Sequence, residues 1–170
     1  AGQPWRTFME RRVYDPLKMS HTSSRVRPTL EEHATAQYAF DAAGKFLRVA
    51  PYDFDHDGAS ANWSSANDLA RFLRMHLNNG SLDGTRVLTE KSAKFMRALS
   101  AVRDPKQPDS GTGVAWFVGP YMGFPSFAHS GGMPGVSTRV RGFPEHMSGY
   151  VVLLNAPASR FRAEIETRLT

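Results

Sequence analysis

The segment Phe127-Ala128-His129-Ser130-Gly131-Gly132-Met133-Pro134-Gly135 brings together a titratable ring, a hydroxyl and two adjacent glycines. Read as a strand that ends in a polar pair and runs into glycines, it has the makings of a substrate wall. Glycine lets a substrate come close to the backbone and leaves N–H groups free to point at a developing negative charge. As an imidazole, His129 could supply a proton or a positive charge. On spacing alone, the same residues also make a plain β-turn with a surface histidine.

An acyl-transfer reading needs a nucleophile with a base to activate it. Every Ser and Thr lacks a Lys three residues later, and every Tyr lacks an Asn two residues later. Ser64 and Ser65 read better as a helix N-cap than as nucleophiles, because no Lys or His is placed to activate either. Asp53-Phe54-Asp55-His56-Asp57-Gly58 copies the first half of an EF-hand loop, but Ser64 stands where the bidentate Glu should be. A solvated acidic turn accounts for it more simply than calcium. His56, His76 and His129 come from three different elements without paired ligand spacing, so no zinc site is expected, and His76 reads as a boundary residue on a helix flank. Nothing in the sequence calls for a metal or an organic cofactor.

The elements that must position this chemistry follow from periodicity. Trp5, Phe8, Met9 and Val13 predict an amphipathic helix ended by Pro16. From about residue 19 to residue 62 there is little periodicity, which suggests a long wrapping loop. Ser65 and Asp68 form a capping-box-like start to a helix whose stripe is Leu69, Phe72, Leu73 and Leu77, stopped at Asn79-Gly80. Thr89 should cap a third helix with Phe95, Met96 and Leu99 on its buried side. Strands are expected at 114–118, 126–129, 137–143 and 150–154. Residues 150–154 are apolar on both faces, as in a strand covered on both sides, yet only one edge has an evident partner. A last helix carries Phe161, Ile165 and Leu169 at four-residue spacing. The fold class is α+β, an antiparallel β-sheet flanked by helices.

Composition narrows the field. With 170 residues, 41% hydrophobic and 22% charged, the chain can build one domain core and is not of the disordered class. No apolar run approaches the roughly 20 residues of a membrane-spanning helix. The net charge of +5 comes from scattered Arg residues rather than a basic run with interleaved aromatics, which argues against nucleic acid. Without Cys there can be no disulfide, thiolate nucleophile or Cys-ligated zinc. That leaves the compartment open.

Several segments together carry a resemblance. They are Asp15-Pro16-Leu17-Lys18-Met19-Ser20-His21-Thr22, Trp63-Ser64-Ser65-Ala66-Asn67-Asp68-Leu69-Ala70-Arg71-Phe72, Gly113-Val114-Ala115-Trp116, His129-Ser130-Gly131, Gly135-Val136-Ser137-Thr138, Phe143-Pro144-Glu145 and Val151-Val152-Leu153-Leu154-Asn155. In this order they resemble the penicillin-recognising serine hydrolases, the β-lactamase (class C-related) and penicillin-binding-protein group. Lys18 and Ala115 stand where that group usually has Gly. The resemblance implies a partial β-lactamase/transpeptidase-like fold, with residues 1–170 a single partial domain that forms its C-terminal part. In such enzymes an S-x-x-K serine attacks a β-lactam, ester or peptide carbonyl, and a Y-x-N tyrosine helps move protons. Carried over, His129 and Ser130 would meet the substrate carboxylate or the proton network. Gly131 would admit the substrate, and the Gly132 N–H would polarise the carbonyl. The expected partners are a small-molecule or peptidoglycan-peptide-like substrate and the missing N-terminal part of the same domain, which would carry the nucleophile helix and strands beside residues 150–154. Many relatives work outside the cytoplasm, in periplasmic or extracellular settings. Two other readings stand beside this one: a non-catalytic peptide- or partner-binding module on the same scaffold, and a calcium-binding module.

Overall fold

A computed structural model describes residues 2–24, 32–50, 57–60 and 62–169. A first helix, α1 (Trp5–Met9), runs on through a π turn (Glu10–Tyr14). A hairpin of β1 (Gln37–Phe40) and β2 (Phe46–Val49) follows, then α2 (Ala66–Leu77), the short hairpin β3 (Ser81–Leu82) and β4 (Thr85–Arg86), and α3 (Glu90–Arg97). The strands β5 (Ala101–Val102), β6 (Gly111–Thr112), β7 (Phe117–Tyr121), β8 (Phe124–Met133), β9 (Val136–Phe143) and β10 (Ser148–Leu154) make one antiparallel sheet in the order β10-β9-β8-β7-β6-β5. The closing helix α4 (Ser159–Leu169) lies on the β9–β10 end of the sheet. The α+β architecture is as the periodicity predicts.

Local chemistry starts α2 and α3 as expected. The Asp68 N–H donates to the Ser65 hydroxyl (3.1 Å) and the Ser92 N–H to the Thr89 hydroxyl (3.1 Å). Asp68 does a second task. Its carboxylate is buried and accepts from the His21 N–H (2.7 Å) and the Thr22 hydroxyl (2.8 Å). Two of the sequence landmarks are therefore clamped to each other. The two departures from the usual motifs share a backbone reason. Lys18 and Ala115 both adopt left-handed φ, 53° and 62°. Glycine takes that conformation freely, and an L-residue pays about 1–2 kcal/mol.

Two apolar clusters hold α2 in place. On one side Tyr14, Leu17, Met19, Met75 and Leu82 pack together. On the other, Leu73, Leu77, Trp116 and Phe127 join the helix to the sheet. His76 belongs to this second interface rather than to the helix boundary. It is fully buried, with its ring among Phe72 (4.8 Å), Trp116 (5.1 Å) and Phe127 (6.2 Å). Burial, helped by the Arg97 charge, lowers its pKa from 6.5 to about 4. The unfolded chain therefore takes up a proton first as the pH falls. The stability due to neutral His76 is complete above about pH 6.5 and is lost progressively toward pH 4, about 3 kcal/mol in all. Urea unfolding at about pH 7.5 and pH 4.5 should show most of this drop, and His76→Leu should flatten it. An unchanged pH slope in the variant would refute the assignment.

Four expectations need correction. A hairpin, β1–β2, lies within the stretch read as a wrapping loop, closed by a turn in which Asp41 Oδ1 accepts from the N–H groups of Ala43 (2.9 Å) and Lys45 (2.8 Å). The strand expected at 114–118 begins only at Phe117, because the left-handed Ala115 bends the chain so that Trp116 drops into the core. In α3 the buried residue is Ala93, with Met96 beside it, whereas Phe95 and Leu99 are exposed. The small Ala93 lets the helix come close, and successive residues turn by about 100°, which carries Phe95 outward. In α4, Phe161 and Leu169 are likewise exposed, and the inward side is Arg162 and the buried Glu166. The sheet beneath offers Arg139 and Tyr150, so a charged helix face is the complementary one: Glu166 pairs with Arg139 (3.3 Å) and Arg162 (3.0 Å) and accepts from the Tyr150 hydroxyl (3.0 Å). The expectation for residues 150–154 holds: β10 is an outer strand of its sheet, and α2 and α4 both pack against it. Its one strand partner among the described residues is β9, and only its Val152 side chain is fully buried.

Candidate active site

The strand that carries His129 does not end there. β8 continues through Ser130, Gly131 and Gly132 to Met133, paired with β9 throughout, and Pro134 with the left-handed Gly135 (φ 82°) turns the chain. Its other neighbour stops early, since β7 reaches only as far as the Phe117–Ala128 pair. Beyond Ala128, then, one edge of β8 is left uncovered by β7. In a two-residue hairpin the closing residues, here Met133 and Val136, exchange both hydrogen bonds, and bonding alternates along the ladder. That alternation turns the Gly132 N–H away from β9, toward the uncovered edge.

A groove of about 590 Å³ lies beside this end of the strand. Gly131, Gly132, Met133 and Thr138 form one wall. His21, Trp63, Ser64 and Ser65 form another, and Leu153, Leu154 and Asn155 close the end of β10. Asn155 also anchors the β1–β2 hairpin, for its side-chain amide donates to the Ala36 carbonyl (2.8 Å) while its own carbonyl accepts from Tyr38 N–H (2.9 Å). A side chain at Gly131 would place its Cβ 2.6 Å from the Thr138 hydroxyl, whereas a Cβ at Gly132 would stand in open space. The two glycines keep this wall bare.

The four predicted site residues divide in two. Gly131 and Gly132 line the groove. His129 and Ser130 do not: His129 is exposed and its ring stacks nearly parallel on Phe117 (5.2 Å, 9°), and Ser130 is half-buried on the same strand. Sequence reasoning missed His21, Trp63, Thr138, Leu153 and Asn155 as lining, although each falls within one of the landmark segments.

Chemically the described lining of the groove is mostly apolar, with Trp63, Leu69, Met133, Leu153 and Leu154 among it. Among the described residues its lining includes no carboxylate, Lys or Arg, only the imidazoles of His21 and His33, which meet edge-on at 6.3 Å. Two of its hydroxyls are committed to structure. Ser65 caps α2, and Ser64 shares a hydrogen bond with Thr22 (2.7 Å). The N-cap reading holds for Ser65, and Ser64 stands just before the cap. No group of three or more metal-ligating side chains occurs among the described residues. The first part of the EF-hand-like turn, residues 53–56, lies outside them; Asp57 is ion-paired with Arg6 (2.6 Å). No helix among the described residues is long and apolar enough to cross a membrane.

Comparison with known proteins gives a consistent result. The sequence model of the family described as Beta-lactamase matches residues 1–170. Protein Rv1367c of Mycobacterium tuberculosis is 30% identical over 123 residues, which cover 68% of this chain and 30% of that protein. Penicillin-binding protein 4 of Amycolatopsis lactamdurans is 30% identical over 162 residues, 91% of this chain and 42% of its own length. The chain thus spans less than half the length of these relatives. Among solved structures, the octameric penicillin-binding protein homologue from Pyrococcus abyssi superposes with a TM-score of 0.74 at 22% identity, over 91% of this chain and 34% of that one.

Proposed function

Since the chain belongs to the Beta-lactamase family, we propose that its groove is one side of an acyl-transfer site whose attacking serine lies in polypeptide outside these 170 residues. Serine-hydrolase-type chemistry is the function this family carries. The observation that supports the finer reading is the bare wall at Gly131 and Gly132, beside an edge of β8 that β7 leaves uncovered.

In this reading the Gly132 N–H polarises the carbonyl under attack, and Gly131 allows the substrate to reach it. His129 and Ser130 meet what extends along the strand toward Phe117, either the substrate carboxylate or the proton network of the added segment. The substrate class is a β-lactam, ester or D-Ala-D-Ala-type carbonyl, and the nucleophile-bearing remainder of the domain is the partner.

A second reading, a non-catalytic peptide-binding module, draws on one observation: Ser64 and Ser65 are held in structural hydrogen bonds, and the sequence has no S-x-x-K. Intact-mass measurement with a labelled penicillin separates the readings. The 170-residue chain alone should take up no stable adduct, because covalent catalysis needs an activated nucleophile. A chain that also carries an S-x-x-K segment should gain one label at that serine. An adduct on the 170 residues alone would overturn the first reading; an unlabelled longer chain would favour the second.

A further inference from the structure

A second cavity, of about 350 Å³, lies on the α4 side of the sheet, among β7, β8, β9 and the loop before β6. Ser126, Ala128, Arg139 and Arg141 reach it from β8 and β9, Phe117 and Tyr121 from β7. Its lining also holds Arg103, so three guanidiniums stand against one carboxylate, Asp104. That carboxylate is turned to its own loop, where Oδ1 accepts from the Lys106 N–H (2.9 Å).

The three arginines are not equally neutralised. Arg139 pairs with the buried Glu166. Arg141 donates to the Ser126 hydroxyl (2.6 Å) and the Tyr150 hydroxyl (3.0 Å) and lies over the Tyr121 ring (3.8 Å). Arg103 lies over the Phe117 ring (5.4 Å). Neither Arg103 nor Arg141 has a carboxylate partner among the described residues. The ring and hydroxyl contacts hold the Arg141 guanidinium in a fixed orientation without cancelling its charge. A fixed fork of N–H donors in a partly enclosed space is the arrangement that recognises oxyanions. The volume falls in the range that accepts small ligands.

We infer that this cavity binds a small oxyanion, a phosphate or carboxylate group, held between Arg103 and Arg141. The site is separate from the groove at Gly131 and Gly132 and does not depend on the acyl-transfer reading.

The test is a titration of the full chain followed by amide chemical shifts, at constant ionic strength, with inorganic phosphate in one arm and benzoate in the other. The amides of Tyr121, Ser126 and Ala128 should shift saturably in at least one arm, and the arm that saturates identifies the headgroup. Arg103 is exposed, so Arg103→Gln should leave the fold intact while weakening that binding about tenfold, the loss of one charge-assisted contact. Arg11→Gln, an exposed arginine on the first helix, removes the same charge and should change nothing. Shifts that fail to saturate in both arms would overturn the inference. So would saturable shifts confined to residues 131–133, or an equal effect of the two variants.

Discussion

Phe127→Ala should cost about 3–5 kcal/mol of stability, the range for deleting a buried aromatic ring. Phe127 is 1% exposed at the centre of β8. Its ring meets Trp116 edge-on (4.9 Å, 80°) and His76 (6.2 Å), and the Arg97 guanidinium lies over it (5.3 Å). Beneath it, a Cβ at Gly142 would stand 2.5 Å from the ring, so β9 is shaped around this side chain. Removing the ring leaves a cavity that α2, the Trp116 bend and β9 cannot all relax to fill, since each is held by other contacts. Native domains in general are stable by roughly 5–15 kcal/mol, and a loss of this size is large on that scale. The melting temperature should fall by about 10 °C or more. Calorimetry or a urea titration checks this; a loss under about 1 kcal/mol would mean that the junction of α2 and the sheet lies elsewhere. Gly142→Ala should be destabilising in the wild type by about 1–3 kcal/mol through overpacking, and less so when Phe127 is Leu, because the two positions share one space.

The same junction shows what a sequence can and cannot reveal. The start of α2 was legible because its cause is local: Ser65 and Asp68 are three residues apart and bond to each other. The β8–β9 hairpin was partly legible for the same reason, since the Pro134-Gly135 turn and the alternation along 137–143 lie within one short stretch. By contrast, β1 and β2 expose Phe40, Phe46 and Leu47 rather than bury them, so no inside-outside contrast marks the hairpin. Periodicity points to the wrong face of α4 because what the helix packs on is charged. Arg162 and Glu166 are inward only because Arg139 and Tyr150 wait on the sheet, and periodicity within the helix carries no trace of them. The groove was legible at one wall only. Gly131 and Gly132 advertise bare backbone, but His21, Trp63 and Asn155 arrive from distant parts of the chain, and it is the Thr22–Asp68 and Asn155–Ala36 hydrogen bonds that bring them there.

In a chain that joins these residues to an S-x-x-K serine, Gly132→Pro should slow acylation by about a hundredfold to a thousandfold, the effect of deleting one oxyanion-hole donor. Proline removes the N–H and fixes φ at about −65°. By the alternation along the hairpin, that N–H points away from β9, so no ladder bond is lost. A Cβ at Gly132 meets nothing within 4 Å, so added side-chain bulk finds open space. Gly131 is the contrasting position: there a proline would remove a bond to β9, and any Cβ would crowd the Thr138 hydroxyl at 2.6 Å. The comparison that isolates the amide is with Gly132→Ala, which keeps the N–H and should acylate at close to the wild-type rate. Single-turnover kinetics with a chromogenic cephalosporin gives the rates, and urea midpoints show whether both variants are equally folded. If Gly132→Pro, equally folded, reacts as fast as Gly132→Ala, the carbonyl is polarised by some other donor and the wall at Gly131 and Gly132 is only a surface against which the substrate lies.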